Sequence, residues 1–133
     1  MILLDTHVLL WLDSASPRLG AEATLAIEAA FQAGELGLSA ISFWEVGTFI
    51  RKGRIRFSMD LYAWRNDFLE QGLVEFPVSS EIGIRAALLE TMEGDPADRI
   101  IAATAELHGL SLLTADRQIL DSPLNATTVD ARK

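Results

Sequence analysis

Cysteine is absent from all 133 residues, which excludes a disulfide framework and a thiolate metal site. Histidine is nearly absent too: His7 and His108 stand at no zinc-binding spacing. No apolar run approaches the roughly 18 residues of a membrane span, and there are no repeats, low-complexity tracts or linkers. The apolar opening is broken by Asp5 and His7, and it lacks both a basic leader and a small-residue cleavage site. It does not read as a secretory signal, and a cytoplasmic protein with no membrane partner is expected. Basic residues are scarce as well, 11 against 19 acidic, for a net charge of −8. Such a field disfavours non-specific nucleic-acid binding. A chain of this kind acting on a polyanion needs bound cations or a local basic patch.

What is present is apolar and acidic. Half the residues are hydrophobic and mean hydropathy is +0.24, so one domain over residues 1–133 can bury a sizeable core. The surplus apolar surface points to an interface, with a second copy of the chain or with a bound partner segment.

Short apolar runs alternate with helical patterns. Strands are expected at Ile2–Asp5, Gly37–Ala40, Leu73–Val78, Leu110–Thr114 and Ala126–Val129. Helices are expected at Thr6–Asp13, Ala21–Ala33, Ser42–Lys52, Asp60–Gln71, Glu81 to about Met92, and Pro96–His108, with a helical turn at Asp116–Leu120. Ser42 and Glu45 have capping-box spacing, Ser80 is placed to cap the following helix, and Asp95-Pro96 supplies an N-cap with Pro at N1. The alternation predicts an α/β fold: a mostly parallel four- or five-stranded sheet covered by helices on both faces.

Four acids fall on one rim of that sheet. Asp5 ends the first strand, Glu45 opens the helix after the second, Asp98 opens a later helix, and Asp116 follows Leu112-Leu113-Thr114. Each has an ordinary reading: Glu45 as a capping-box member, Asp98 as a dipole partner, Asp116 as a cap. Asp5 is harder to dismiss, because an acid directly after a buried strand is costly unless paired, capped or metal-bound. The carboxyl edge of a parallel sheet is also where ligands bind. Four carboxylates there imply a hard divalent cation, Mg2+ or Mn2+ by their all-oxygen chemistry. Hydrolysis of a phosphodiester is the expected reaction; the chain has no phosphate-binding G-x-x-x-x-G-K-[ST] loop.

The opening I-L-L-D-T-H, the segment S-F-W-E, D-P-A-D-R-I-I-A-A-T-A and L-L-T-A-D resemble, in order and spacing, the motifs of PIN-domain ribonucleases, in particular toxins of the VapC type. The resemblance covers essentially the whole chain. It implies a PIN-like three-layer α/β/α sandwich and a metal-dependent endoribonuclease with Asp5, Glu45, Asp98 and Asp116 as the catalytic, metal-holding quartet. It further implies Thr114 as a supporting hydroxyl, a lesser role for Asp95, and Thr6 as the cap of the first helix. The partners it implies are RNA, a second copy of the chain, and a cognate antitoxin lying across the groove. One departure is visible: relatives often carry a histidine shortly before D-P-x-D-R, where this chain has Met92-Glu93-Gly94.

The one dense basic cluster runs from Arg51 to Arg56. Arg51, Lys52 and Arg54 there could track an RNA backbone, or form a solvated helix end. Arg99 is placed either to contact a phosphate or to pair with an acid. Trp11, Trp44 and Trp64 are candidates for base stacking, though core or interface packing is the commoner use, and Trp11, Phe43 and Trp44 could line a groove for an antitoxin helix. His7 is expected to be packed or hydrogen-bonded within its helix. Two other functions compete: aspartyl-phosphate transfer with Asp5 as nucleophile, disfavoured because His7 stands where D-x-D needs its second acid, and a non-catalytic binding module.

Overall fold

The computed structural model describes residues 1–90, 92 and 94–133; Thr91, at the expected end of the fifth helix, and Glu93, in the departing tripeptide, lie outside them. Strands β1 (Ile2–Leu4), β2 (Leu36–Ser39), β3 (Val74–Phe76), β4 (Ser111–Thr114) and β5 (Thr128–Asp130) form one sheet in the order β3-β2-β1-β4-β5. Every pairing is parallel. Central strands of a parallel sheet are covered on both faces, which is why β1 and β4 each carry a Leu-Leu pair, one leucine for each face.

The two-residue alternation divides those leucines between two cores. Leu4, Leu38 and Leu113 join one cluster with helices α1 (Thr6–Asp13), α2 (Ala21–Gln32), α3 (Ile41–Arg51) and α4 (Leu61–Glu70). Leu3 and Leu112 face the other way, against α5 (Ser80–Leu88), α6 (Pro96–His108) and α7 (Arg117–Asp121). The result is a three-layer α/β/α sandwich. None of the described helices is long and apolar enough to cross a membrane.

Most boundaries fall within two residues of expectation, and the differences have local causes. The third helix starts at Ile41 rather than through a capping box: Ser39 Oγ accepts from the Ile41 amide at 3.2 Å, while Ser42 is buried and turned to Thr6. The fifth helix is capped by Ser79, not Ser80, and stops at Leu88. Pro77 lies just past β3, an edge strand, where a missing N–H costs no ladder bond. The last strand starts two residues later than expected, its register set by Leu112 opposite Thr128.

Register also places the site. Leu4 pairs with Leu38 on one side and Leu113 on the other. Asp5 then donates its amide to the Leu113 carbonyl at 3.0 Å. The chain segments carrying Asp5, Ser39 and Thr114 therefore leave the sheet together, at its carboxyl edge.

Candidate functional site

Asp5 is the N-cap of α1, and both of its oxygens are committed. Oδ1 accepts from the Thr6 amide at 2.8 Å, and Oδ2 accepts from Thr114 Oγ1 at 2.6 Å. Thr114 Oγ1 in turn accepts from the Asp116 amide at 3.0 Å, so one buried hydroxyl ties the ends of β1 and β4 together. The cap of the first helix is thus Asp5 and not Thr6; the Thr6 hydroxyl instead meets Ser42 Oγ at 2.9 Å. Asp116 is half-buried and caps α7, accepting from the Gln118 amide at 2.8 Å.

The second half of the cluster comes from α3 and α6. Glu45, Asp95 and Asp98 each offer a carboxylate oxygen, and these lie within 4.8 Å of one another. Asp95 N-caps α6 through the Ala97 amide at 2.9 Å, with Pro96 at N1, so the cap chemistry itself delivers Asp95 and Asp98 to the rim. Asp95 stands closer to the centre than its sequence position suggested. Glu45 is only 3% exposed, and its Oε1 has no hydrogen-bond partner among the described residues.

The electrostatics follow from this crowding. Burial pushes Glu45 up to about 8, with the neighbouring acids Asp95 and Asp5 adding to the rise. Asp98 is pushed up to about 9, first by burial, then by the Asp5 charge and by Asp116, Asp95 and Glu45. Asp5 is raised as well, because burial outweighs the hydrogen bonds from Thr114 and Thr6. Asp98 thus feels the other three predicted acids and Asp95, and Glu45 feels Asp95 and Asp5. A hard divalent cation fits this donor set, which is all oxygen, rich in like charge, and includes a buried carboxylate oxygen with no other use.

The basic candidates separate clearly. Arg99 is not a phosphate ligand: Nε donates to the Ala86 carbonyl at 3.0 Å, Nη2 to those of Leu89 at 2.7 Å and Ala87 at 3.1 Å, and Nη1 to that of Met92. It is a strap across the α5–α6 connection. Lys52 and Arg54 are exposed and line a cleft of about 350 Å³ together with Glu45, Asp95 and Trp44. Arg51 is exposed but not in that wall. Trp64 is 1% exposed and packs edge-on against Phe43, Phe57 and Phe68, which removes it from any stacking role. Trp44 is 55% exposed. His7 is not packed away as expected but exposed, tilted on Phe49 with ring centroids 5.7 Å apart.

A second cleft, of about 530 Å³, opens on the other side of the carboxylates and is lined by Asp5, His7, Trp11, Arg18, Asp116 and Arg132. Arg18 and Arg132 escaped sequence reasoning because one lies in a loop and the other after the last strand, far apart in sequence and with no motif around either.

Comparison with known proteins agrees with this geometry. The family model of the PIN domain matches residues 2–122. Ribonuclease VapC22 of Mycobacterium tuberculosis is 36% identical over 118 residues, covering 89% of this chain and 88% of its own. The fold is shared with a DNA-bound VapBC structure from Salmonella typhimurium, with a TM-score of 0.71, 17% identity and coverage of 97% and 96% of the two chains. It is also shared with a toxin–antitoxin complex from Klebsiella pneumoniae, with a TM-score of 0.64, 24% identity and coverage of 98% of each chain. The chain belongs to the PIN domain family.

Proposed function

We propose that residues 1–133 form a single nuclease domain, a Mg2+- or Mn2+-dependent endoribonuclease that is the toxin of a cytoplasmic toxin–antitoxin pair. The observation that carries this reading is the convergence of Asp5, Glu45, Asp98 and Asp116, joined by Asp95, at the carboxyl edge of β1 and β4. Its likeness to Ribonuclease VapC22 supports RNA as the substrate.

In this reading the acidic quartet holds the cation, and Asp95 contributes from the α6 cap. Bound there, the cation supplies Lewis acidity to the scissile phosphate and offsets the charge that develops on it. The protein's own contribution is orientation. Thr114 fixes the Asp5 carboxylate, and Glu45 and Asp98 give up the protons that burial lets them keep at neutral pH. Lys52 and Arg54 hold the RNA backbone beside Glu45, as positive charge in a chain that otherwise repels it.

Of the solved structures that share the fold, the one from Klebsiella is a toxin–antitoxin complex and the one from Salmonella a DNA-bound VapBC. An antitoxin segment lying across the clefts beside the exposed Trp44 is the corresponding partner here. A homodimer is proposed through exposed apolar side chains such as Ile84 and Leu88 on α5. Aspartyl-phosphate transfer is disfavoured because His7 stands where a D-x-D pair needs its second acid.

The test is RNA cleavage with Mg2+ or Mn2+ by the parent and by Asp5→Ala and Asp98→Asn. Each variant is expected to lose at least about a hundredfold in activity while remaining folded by circular dichroism. If the folded variants cleave as well as the parent, the activity belongs to a contaminant and the reading fails.

A further inference from the structure

We propose that Arg18 and Arg132 form the phosphate-holding rim of a nucleotide subsite on the Asp5–Asp116 side of the carboxylates. RNA then crosses the site between two basic clefts. This rests on the ribonuclease reading above and says how the substrate is held.

The distribution of positive charge is the first argument. Of the eleven basic residues, Arg65, Arg85 and Arg117 are paired with acids, and Arg99 is spent on backbone carbonyls. Among the described residues the guanidinium groups of Arg18 and Arg132 meet no carboxylate, though the Arg132 amide donates to Asp130 Oδ1, and both side chains are exposed on the 530 Å³ cleft that contains Asp5 and Asp116. Lys52 and Arg54 occupy the matching position in the cleft that contains Glu45 and Asp95. Asp5 and Asp116 line one cleft and Glu45 and Asp95 the other, so the carboxylates lie where the two clefts meet the sheet edge. A polyanion crossing an acidic centre needs cations on each side of it.

The second argument is that Arg132 is built into place. The Ala131 amide donates to the Thr114 carbonyl at 2.8 Å, and the Ala131 carbonyl accepts from the Gly20 amide at 2.9 Å. The Lys133 carbonyl accepts from the Glu22 amide at 2.8 Å. Position 20 must be glycine for this contact, because a Cβ there would collide with the backbone of Arg132 and Lys133. The clasp carries Arg132 over the cleft, where one guanidinium nitrogen touches the Ala115 carbonyl and the others stay free for an anion. The third argument is the rest of the lining: exposed His7 and half-buried Trp11 stand in the same cleft and are the kind of side chain on which bases stack.

The experiment is fluorescence anisotropy with a labelled single-stranded RNA of about 12 nucleotides, in EDTA so that nothing is cleaved. Arg18→Gln and Arg132→Gln are each expected to weaken binding about three- to tenfold, and the double variant to flatten the salt slope by about 1.4. Arg65→Gln, which removes the same charge far from the clefts, stays within about twofold of the parent. With Mn2+ the arginine variants raise KM and leave kcat within about twofold. Variants that bind RNA like the parent, an Arg65→Gln effect as large as theirs, or a parent that binds no RNA would each overturn the subsite. If the parent cleaves RNA and the variants bind normally, the subsite alone is wrong. If the variants lose binding and the parent never cleaves, the ribonuclease reading is wrong and the subsite stands.

Discussion

Asp5 shows how one side chain can be both a structural cap and the centre of a site. Its two hydrogen bonds hold it in a single orientation, and the Thr114 hydroxyl is the pivot. Thr114→Val keeps the shape and removes the donor, leaving Asp5 Oδ2 and the Asp116 amide unpartnered. A loss of about 10- to 100-fold in metal affinity or activity is expected, read by titrating Mn2+ into the variant and the parent. Arg99 belongs to stability instead. Arg99→Lys cannot reach four carbonyls with one ammonium, so urea denaturation should show a loss of about 1–3 kcal/mol. Asp5 was legible because a polar residue straight after a buried strand demands an explanation. Arg99 was not, since nothing in D-P-A-D-R says that the guanidinium turns back to the preceding loop.

Helix ends carry the next level of information. α1 ends with the Ser16 amide on the Trp11 carbonyl at 2.8 Å, which puts Ala15 at φ 51, in the left-handed region. Gly109 takes the same region at φ 63 after α6, where glycine is the natural occupant. Ala15→Gly should therefore stabilise the protein by about 0.5–1 kcal/mol, read as a higher urea midpoint at unchanged slope. Element type and order were readable from apolar periodicity and from Gly34, Gly53, Gly72 and Gly109. The caps at Asp95 and Asp116 were readable too, but those expected from serine were not: Ser79 rather than Ser80 caps α5, and Ala40, with no side-chain cap bond, stands before α3 in place of Ser42. Tertiary contacts decide such cases, as the Thr6–Ser42 contact does for α3. The same limit hid Arg18 and Arg132, which only the folded chain brings to one cleft.

At the scale of the whole molecule, the acidic rim links stability to pH and to metal. Glu45, raised to about 8, and Asp98, raised to about 9, bind protons more tightly in the folded chain than in the unfolded one. Stability from these groups is full below the ordinary carboxyl range, about pH 4, and falls as pH rises through the folded values. The metal-free protein should thus have a higher Tm at pH 5 than at pH 8. Added Mg2+, which competes with those protons, should raise Tm more at pH 8 than at pH 5.

The most direct test is isothermal titration calorimetry of Mn2+ into the EDTA-stripped protein at pH 7, in two buffers of different ionisation enthalpy. The account predicts saturable binding with protons released to the buffer, and loss of that binding in Asp98→Asn. No binding heat in either buffer, or binding without proton release that Asp98→Asn leaves intact, would contradict it.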